Sequence, residues 1–153
     1  MQKKPVLSIS LLVSDRPYTI QRCLDSLNTI RENITSELII VNTSHSENVR
    51  AIIEKYTDKI VDFEWCDDFA KARNAGLSLA TGEWFLTLDD DEWFVEVQPL
   101  LDFFQSGEYR RYGCANYLVR NFYDIKYRHY SDAWVSRMIR LSKDTHYESK
   151  IHE

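Results

Sequence analysis

The sequence predicts an α/β fold, with a mostly parallel sheet flanked by helices and a mixed or antiparallel strand region at the C-terminal end. Three observations predict it. Short apolar runs alternate with segments whose apolar residues recur every three or four positions, up to about residue 108. Turn-forming polar residues close the apolar runs. Beyond residue 108, helical spacing gives way to strand-like runs joined by short polar links. With 153 residues, 44% hydrophobic and 28% charged, and only four Gly and three Pro, the chain has apolar material for one core and too little linker chemistry for disorder or collagen-like order.

Residues 7–13 form a nearly continuous apolar run, as expected of a strand buried on both faces. It ends at Ser14-Asp15-Arg16-Pro17. Pro17 suits a helix's first turn, and Ile20, Leu24, Leu27 and Ile30 give one amphipathic helix over about 17–31. A second buried strand spans 38–41, followed by the turn residues Asn42-Thr43-Ser44, a helix over 47–56 and a third strand over 60–65. Phe69, Ala72, Ala75, Gly76 and Leu79 make a helical face over 68–80, with Gly82 as a stop before a fourth strand at 83–88. A short helix is expected at 97–106, then three strands at 113–120, 122–130 and 134–141 as an antiparallel meander or mixed sheet.

A net charge of −5 and a pI near 5.4 exclude wrapping of a nucleic acid backbone, which needs surplus Lys and Arg. The charge is unevenly spread: residues 1–108 hold 10 Lys/Arg against 19 Asp/Glu, whereas 109–153 hold 9 against 5. Seven of the nine Tyr also fall between Tyr109 and Tyr147, fitting a half-buried sheet layer or a stacking surface. Cys23, Cys66 and Cys114 are odd in number and lack metal-ligand spacing, so a reducing cytosol fits best. No leader with a cleavage site and no run near the ~20 apolar residues of a membrane span occurs, so a cytoplasmic protein without a transmembrane segment is expected.

Four carboxylates, Asp89-Asp90-Asp91-Glu92, close the fourth strand. In parallel sheets ligands bind outside the carboxyl ends of strands. On an extended backbone Asp89 and Asp91 share one side and Asp90 the other, so the first and third can share a cation. Mg²⁺ held by one or two carboxylates plus substrate phosphates fits that pattern; a solvated acidic loop is the alternative. Upstream, Arg73 lies on the helix leading into the acidic strand, in reach of a diphosphate.

The block DFAKARNAGLSLATGEWFLTLDDDE, residues 68–92, resembles the ARNxG…LDxDE core of family 2 glycosyltransferases of the GT-A type. LSISLLVSDRPYTIQRCLDSL is similar to their first strand and helix, and RMIRL with the terminal IHE resembles the RLFR…HE segment of a bacterial branch. The resemblance implies a Rossmann-like, GT-A domain over 1–153, with 1–108 the nucleotide-sugar-binding part and 109–153 a β-rich acceptor-side part. It implies an inverting transfer of a hexosyl or related sugar from a nucleotide diphosphate sugar, with UDP-sugar favoured, to an acceptor hydroxyl on a glycan, lipid or protein.

By the same resemblance Asp89 and Asp91 hold Mg²⁺ or Mn²⁺, His152 joins the metal or phosphate shell, and Glu153 is the catalytic base. Ser14, Asn42, Thr43, Arg73, Asp89 and Asp90 fall at donor-binding positions. Asn42 replaces the family's usual Asp, and its NH₂ group would compete at a uracil edge, so Asn42→Asp is expected to strengthen uridine nucleotide binding. Family catalytic domains continue well past this length, which implies a minimal or shortened domain with an incomplete acceptor side. The rival readings are a non-catalytic nucleotide- or carbohydrate-binding module and a sugar nucleotidyltransferase. The second wants a Gly-rich loop after the first strand, where SDRPYT has no Gly.

Overall fold

A computed structural model describes residues 4–57 and 59–151. Strand β1 (Leu7–Val13) is buried along its whole length and lies inside a six-stranded sheet of order β3-β2-β1-β4-β6-β5. β2 (Ser36–Asn42), β3 (Ile60–Asp62) and β4 (Trp84–Asp89) run parallel to it, each reached through a helical crossover. β6 (Tyr130–Arg140) pairs antiparallel with β4, and β5 (Cys114–Phe122) pairs antiparallel with β6 at the sheet edge. The α/β fold with an antiparallel C-terminal part is as predicted.

Register fixes what meets at the carboxyl edge. Val13 pairs with Asn42 on one side of β1, and Leu12 pairs with Asp89 on the other. The turn after β2 and the acidic run after β4 therefore flank the loop after β1.

Strand alternation gives β1 two unlike faces. Leu7, Ile9, Leu11 and Val13 join the main core with α1 (Pro17–Ser26), α2 (Asn28–Asn33), α3 (Glu47–Ile53) and α5 (Gln98–Gln105). The opposite face carries Ser8, Ser10 and Leu12 beneath α4 (Phe69–Leu77), where a smaller cluster of Leu12, Val41 and Ala72 forms. Small residues there let α4 approach closely. A Cβ on Gly76 would lie 2.4 Å from Ser10 Oγ and 2.8 Å from Val41 Cγ2. Ser8, fully buried, donates to Glu37 Oε1 at 2.5 Å and accepts from the Gly82 N–H at 2.9 Å, so its hydroxyl is satisfied.

Two expectations needed correction, and one element was not expected. The single helix over 17–31 is two, α1 and α2, meeting at Leu27, whose N–H bonds Leu24 O three residues back. Ser26 Oγ bonds back to Cys23 O at 2.7 Å and accepts the Phe94 N–H at 3.1 Å, local chemistry that competes with a continuous helix. The predicted three C-terminal strands are two, because residues 123–129 form a turn organised by Asp124. Its carboxylate accepts the backbone N–H groups of Lys126, Arg128 and His129. A 3₁₀ turn at Glu108–Arg111, after Gly107 at φ +82°, was not anticipated. Among the described residues no helix is long and apolar enough to cross a membrane.

Gly76→Val should destabilise the fold by about 1–3 kcal/mol through overpacking between α4 and β1. Urea unfolding checks this, with Ser10→Ala in the same background expected to restore part of the loss.

Candidate active site

The site is built at the carboxyl ends of β1, β2 and β4. Asp90, only 2% exposed, accepts from the Ser14 N–H at 2.7 Å, Ser14 Oγ at 3.0 Å and Arg16 Nη1 at 3.1 Å. Its own N–H bonds Leu12 O at 3.2 Å, so Asp90 clasps the ends of β1 and β4 together. Burial pushes the Asp90 carboxyl above the ordinary range, while the Ser14 bonds and the Arg16 charge pull it back.

Strand alternation stops at Asp89. Asp90 and Asp91 lie in a turn and share one cation, since Arg16 Nη1 also reaches Asp91 Oδ2 at 2.6 Å. Asp89 belongs to a different set. Its Oδ1 takes Arg73 Nη2 at 2.9 Å, and Arg137 Nη2 lies 3.7 Å from its Oδ2. Glu92 folds back, accepting the Asp89 N–H at 3.0 Å and Arg137 Nη2 at 2.9 Å. Burial raises the Glu92 carboxyl against the pull of Arg137.

Arg73 is 4% exposed and also donates to Thr87 Oγ1 at 3.0 Å, so its guanidinium holds the acidic strand's end from beneath. The next residue, Asn74, clamps Tyr147 both ways: Asn74 Nδ2 donates to Tyr147 O at 2.8 Å, and the Tyr147 N–H donates to Asn74 Oδ1 at 2.9 Å. With the Phe69 N–H on Lys150 O at 3.0 Å, this lays residues 147–150 along α4. A cleft of about 850 Å³ opens between that segment, Arg73, Asp89 and Arg137. His152 and Glu153 lie outside the described residues.

Asn42 is buried at the end of β2. Its Nδ2 donates to Asp62 Oδ1 at 2.8 Å and Ser44 O at 3.2 Å, while its Oδ1 accepts the Ser44 N–H at 3.2 Å. Both bonds of the NH₂ group are thus made inside the protein. Asp62 also accepts from Arg50 Nη1 at 2.8 and 3.0 Å, and the Asn42 bond, ahead of Arg50, holds its carboxyl below the usual range. Thr43 turns inward too, with N–H and Oγ1 both on Val13 O.

Trp84 is core, while Trp93 is half-buried with Arg22 stacked 3.8 Å over its ring. Burial drives the Cys23 thiol far above its ordinary value, so it is no nucleophile. Roles for Arg16, Asn74, Glu92 and Arg137 were not anticipated. The signals were present: Arg16 in the SDR turn after the first strand, the others inside the ARN, LDDDE and RMIRL blocks.

Residues 10–151 match the Glycosyl transferase family 2 profile. The chain belongs to this family. A TPR repeat-containing protein of Synechococcus elongatus is 35% identical over 89 residues, covering 58% of this chain and 21% of that protein. The SPbeta prophage-derived glycosyltransferase SunS of Bacillus subtilis is 24% identical over 159 residues, covering 97% of this chain and 34% of its own length. The chain therefore spans about a third or less of these curated relatives. Among solved structures, S. aureus TarS 1-349 in complex with UDP-GlcNAc superposes with a TM-score of 0.55 at 21% identity, covering 73% of this chain and 32% of that one. The mannosyltransferase PcManGT from Pyrobaculum calidifontis, in complex with GDP-Man and Mn²⁺, gives 0.53 at 20% identity, covering 67% and 32%. The family 2 chain has the GT-A fold of these glycosyltransferases.

Asn42→Asp removes a donor from Asp62 and sets a second carboxylate against it. Because the Asp62 carboxyl is depressed in the fold, its contribution is present above its unfolded pKa of about 3.9 and is lost as pH falls below that value. The variant should therefore melt lower than wild type at pH 7, with the gap narrowing at pH 3.5. Thermal melts at the two pH values check this.

Proposed function

We propose that this chain forms the donor-binding part of a glycosyltransferase that moves a sugar from a nucleotide diphosphate sugar to an acceptor hydroxyl with inversion. The observation that carries the reading is the juxtaposition, in a GT-A fold, of Asn42 and the 89–92 acids across the end of β1, with Arg73 beneath them. Solved relatives in complex with UDP, UDP-GlcNAc and GDP-Man support a nucleotide-sugar ligand, and a UDP-sugar is favoured. Residues 1–108 form the nucleotide-sugar part and 109–153 the β-rich acceptor-side part.

Among the described residues no group of three or more His, Cys, Asp or Glu is arranged as a metal cage. Mg²⁺ and Mn²⁺ need less than a cage here, since substrate phosphates and water complete their shells. Asp89 and Asp91 would supply the oxygen donors, on side chains 30% and 50% exposed, whereas Asp90 is 2% exposed with its oxygens on the β1 loop. The two sit in separate ion pairs, Asp89 with Arg73 and Asp91 with Arg16, so sharing one ion requires Asp91 to leave Arg16. Arg16 would exchange out of its pair with Asp91, a small cost because exposed ion pairs are worth about 0–1 kcal/mol. The bound ion supplies neutralisation of charge on the leaving diphosphate. Arg73 orients Asp89, Asp90 fixes the loop carrying Ser14, and Thr43 holds the turn after β2. Glu153 is proposed as the base that takes the acceptor's proton and His152 as a further ligand at the metal or phosphate.

Calorimetric titration of UDP should show affinity with Mn²⁺ that falls at least tenfold in EDTA, with Asp91→Ala removing that dependence. Equal affinity in both conditions would defeat the metal assignment, and absence of nucleotide binding would defeat the donor reading.

A further inference from the structure

We propose that Arg137 is a phosphate-binding residue for the donor, aimed into the cleft by a β-bulge. The proposal rests on the donor reading above. Pairing between β5 and β6 runs from Asn116 with Ser136 to Ala115 with Met138, so Arg137 is an extra residue without a cross-strand partner. A bulge of this kind bends its strand and re-aims a side chain. Here it also ends the pairing of β6 with β4, whose last pair is Leu86 with Met138. Past that pair the strands part, and Thr87, Asp89, Val135 and Arg137 line the cleft that opens between them.

The guanidinium is then held only in part. Nη2 meets Glu92 Oε1 at 2.9 Å and stands 3.7 Å from Asp89 Oδ2, while Nε and Nη1 have no hydrogen-bond partner among the described residues. Arg73 contrasts with it, buried at 4% exposure with both terminal nitrogens on Thr87 and Asp89. Arg137 is 23% exposed, so a group entering the cleft meets its open donors. The entering group must be anionic and able to accept from a planar fork, which describes a phosphate. Four adjacent carboxylates would repel a diphosphate, and Arg137 sets a positive charge on the wall where that repulsion has to be overcome. Glu92 and Asp89 keep the side chain pointed inward before the ligand arrives, which lowers the ordering cost of binding.

The test compares Arg137→Gln and Arg137→Lys with wild type, each confirmed folded by circular dichroism. UDP with Mn²⁺ is measured by calorimetry, uridine by ligand-observed NMR, and Mn²⁺ alone by electron paramagnetic resonance. Arg137→Gln should weaken UDP about tenfold or more, the scale of a charged hydrogen bond, while uridine stays unchanged and Mn²⁺ alone binds at least as tightly, because a cation beside Asp89 is gone. Arg137→Lys should recover part of the UDP affinity. Unchanged UDP affinity in Arg137→Gln overturns the proposal, as does a parallel loss for uridine, or a loss of Mn²⁺ alone that accounts for the UDP effect. Wild type that binds no UDP overturns the donor reading and this proposal with it.

Discussion

Compensating four consecutive carboxylates at the end of a buried strand is the constraint on which the functional edge depends. Two unit charges 4 Å apart interact by about 4 kcal/mol at an effective dielectric of 20, comparable with a sizeable share of a domain's net stability. The chain answers with three guanidiniums from three distant elements: Arg16 before α1, Arg73 in α4 and Arg137 in β6. Each draws its own element towards the tip of β4. The position of the β1 loop, the depth of α4 and the course of β6 past the cleft all answer to this one run of acids.

The hydrophobic pattern complements that arrangement. β1 reads as uniformly buried, yet its two faces do different work. The aliphatic face anchors the main core, and the serine face trades apolar area for proximity, letting α4 sit low enough for Arg73 to reach Thr87 and Asp89. The buried Ser8 hydroxyl is tolerable because a backbone N–H and a carboxylate meet it, the carboxylate being Glu37, which also pairs with Lys59.

Much of this was legible in the sequence. Buried-strand runs and three- and four-residue spacing are local signals, so β1 through β4 and their helices were placed within a few residues. Misses came where a single polar side chain overrode the local pattern: Ser26 splitting a helix, and Asp124 turning a predicted strand into a loop. At the site, the acidic run and Arg73 were visible as residue types, but their pairing was not. Strand alternation set Asp89 with Asp91, whereas the chain turns after Asp89 and leaves Arg16 to join Asp90 to Asp91. The engagement of Asn42 with Asp62 crosses between strands, and no spacing rule in one sequence reports such a contact.

Where β6 leaves β4 at Met138, the outer part of the β5–β6 ribbon acquires two open sides instead of one. Among the described residues, backbone N–H and C=O groups on the outer edge of β5 and along β6 before Met138 have no neighbouring strand, and such rows are templates for unwanted pairing with other chains. The ribbon carries Leu118, Phe122, Tyr130 and Trp134 exposed, which adds to the hazard. Its safeguard is charge and curvature. Arg120 and Asp132 form a paired fork across the ribbon, Arg120 covers the Tyr130 ring at 3.9 Å, and two-stranded ribbons twist too strongly to present a flat edge. The gap that opens the cleft thus also opens two backbone edges, and these few side chains on the ribbon guard them.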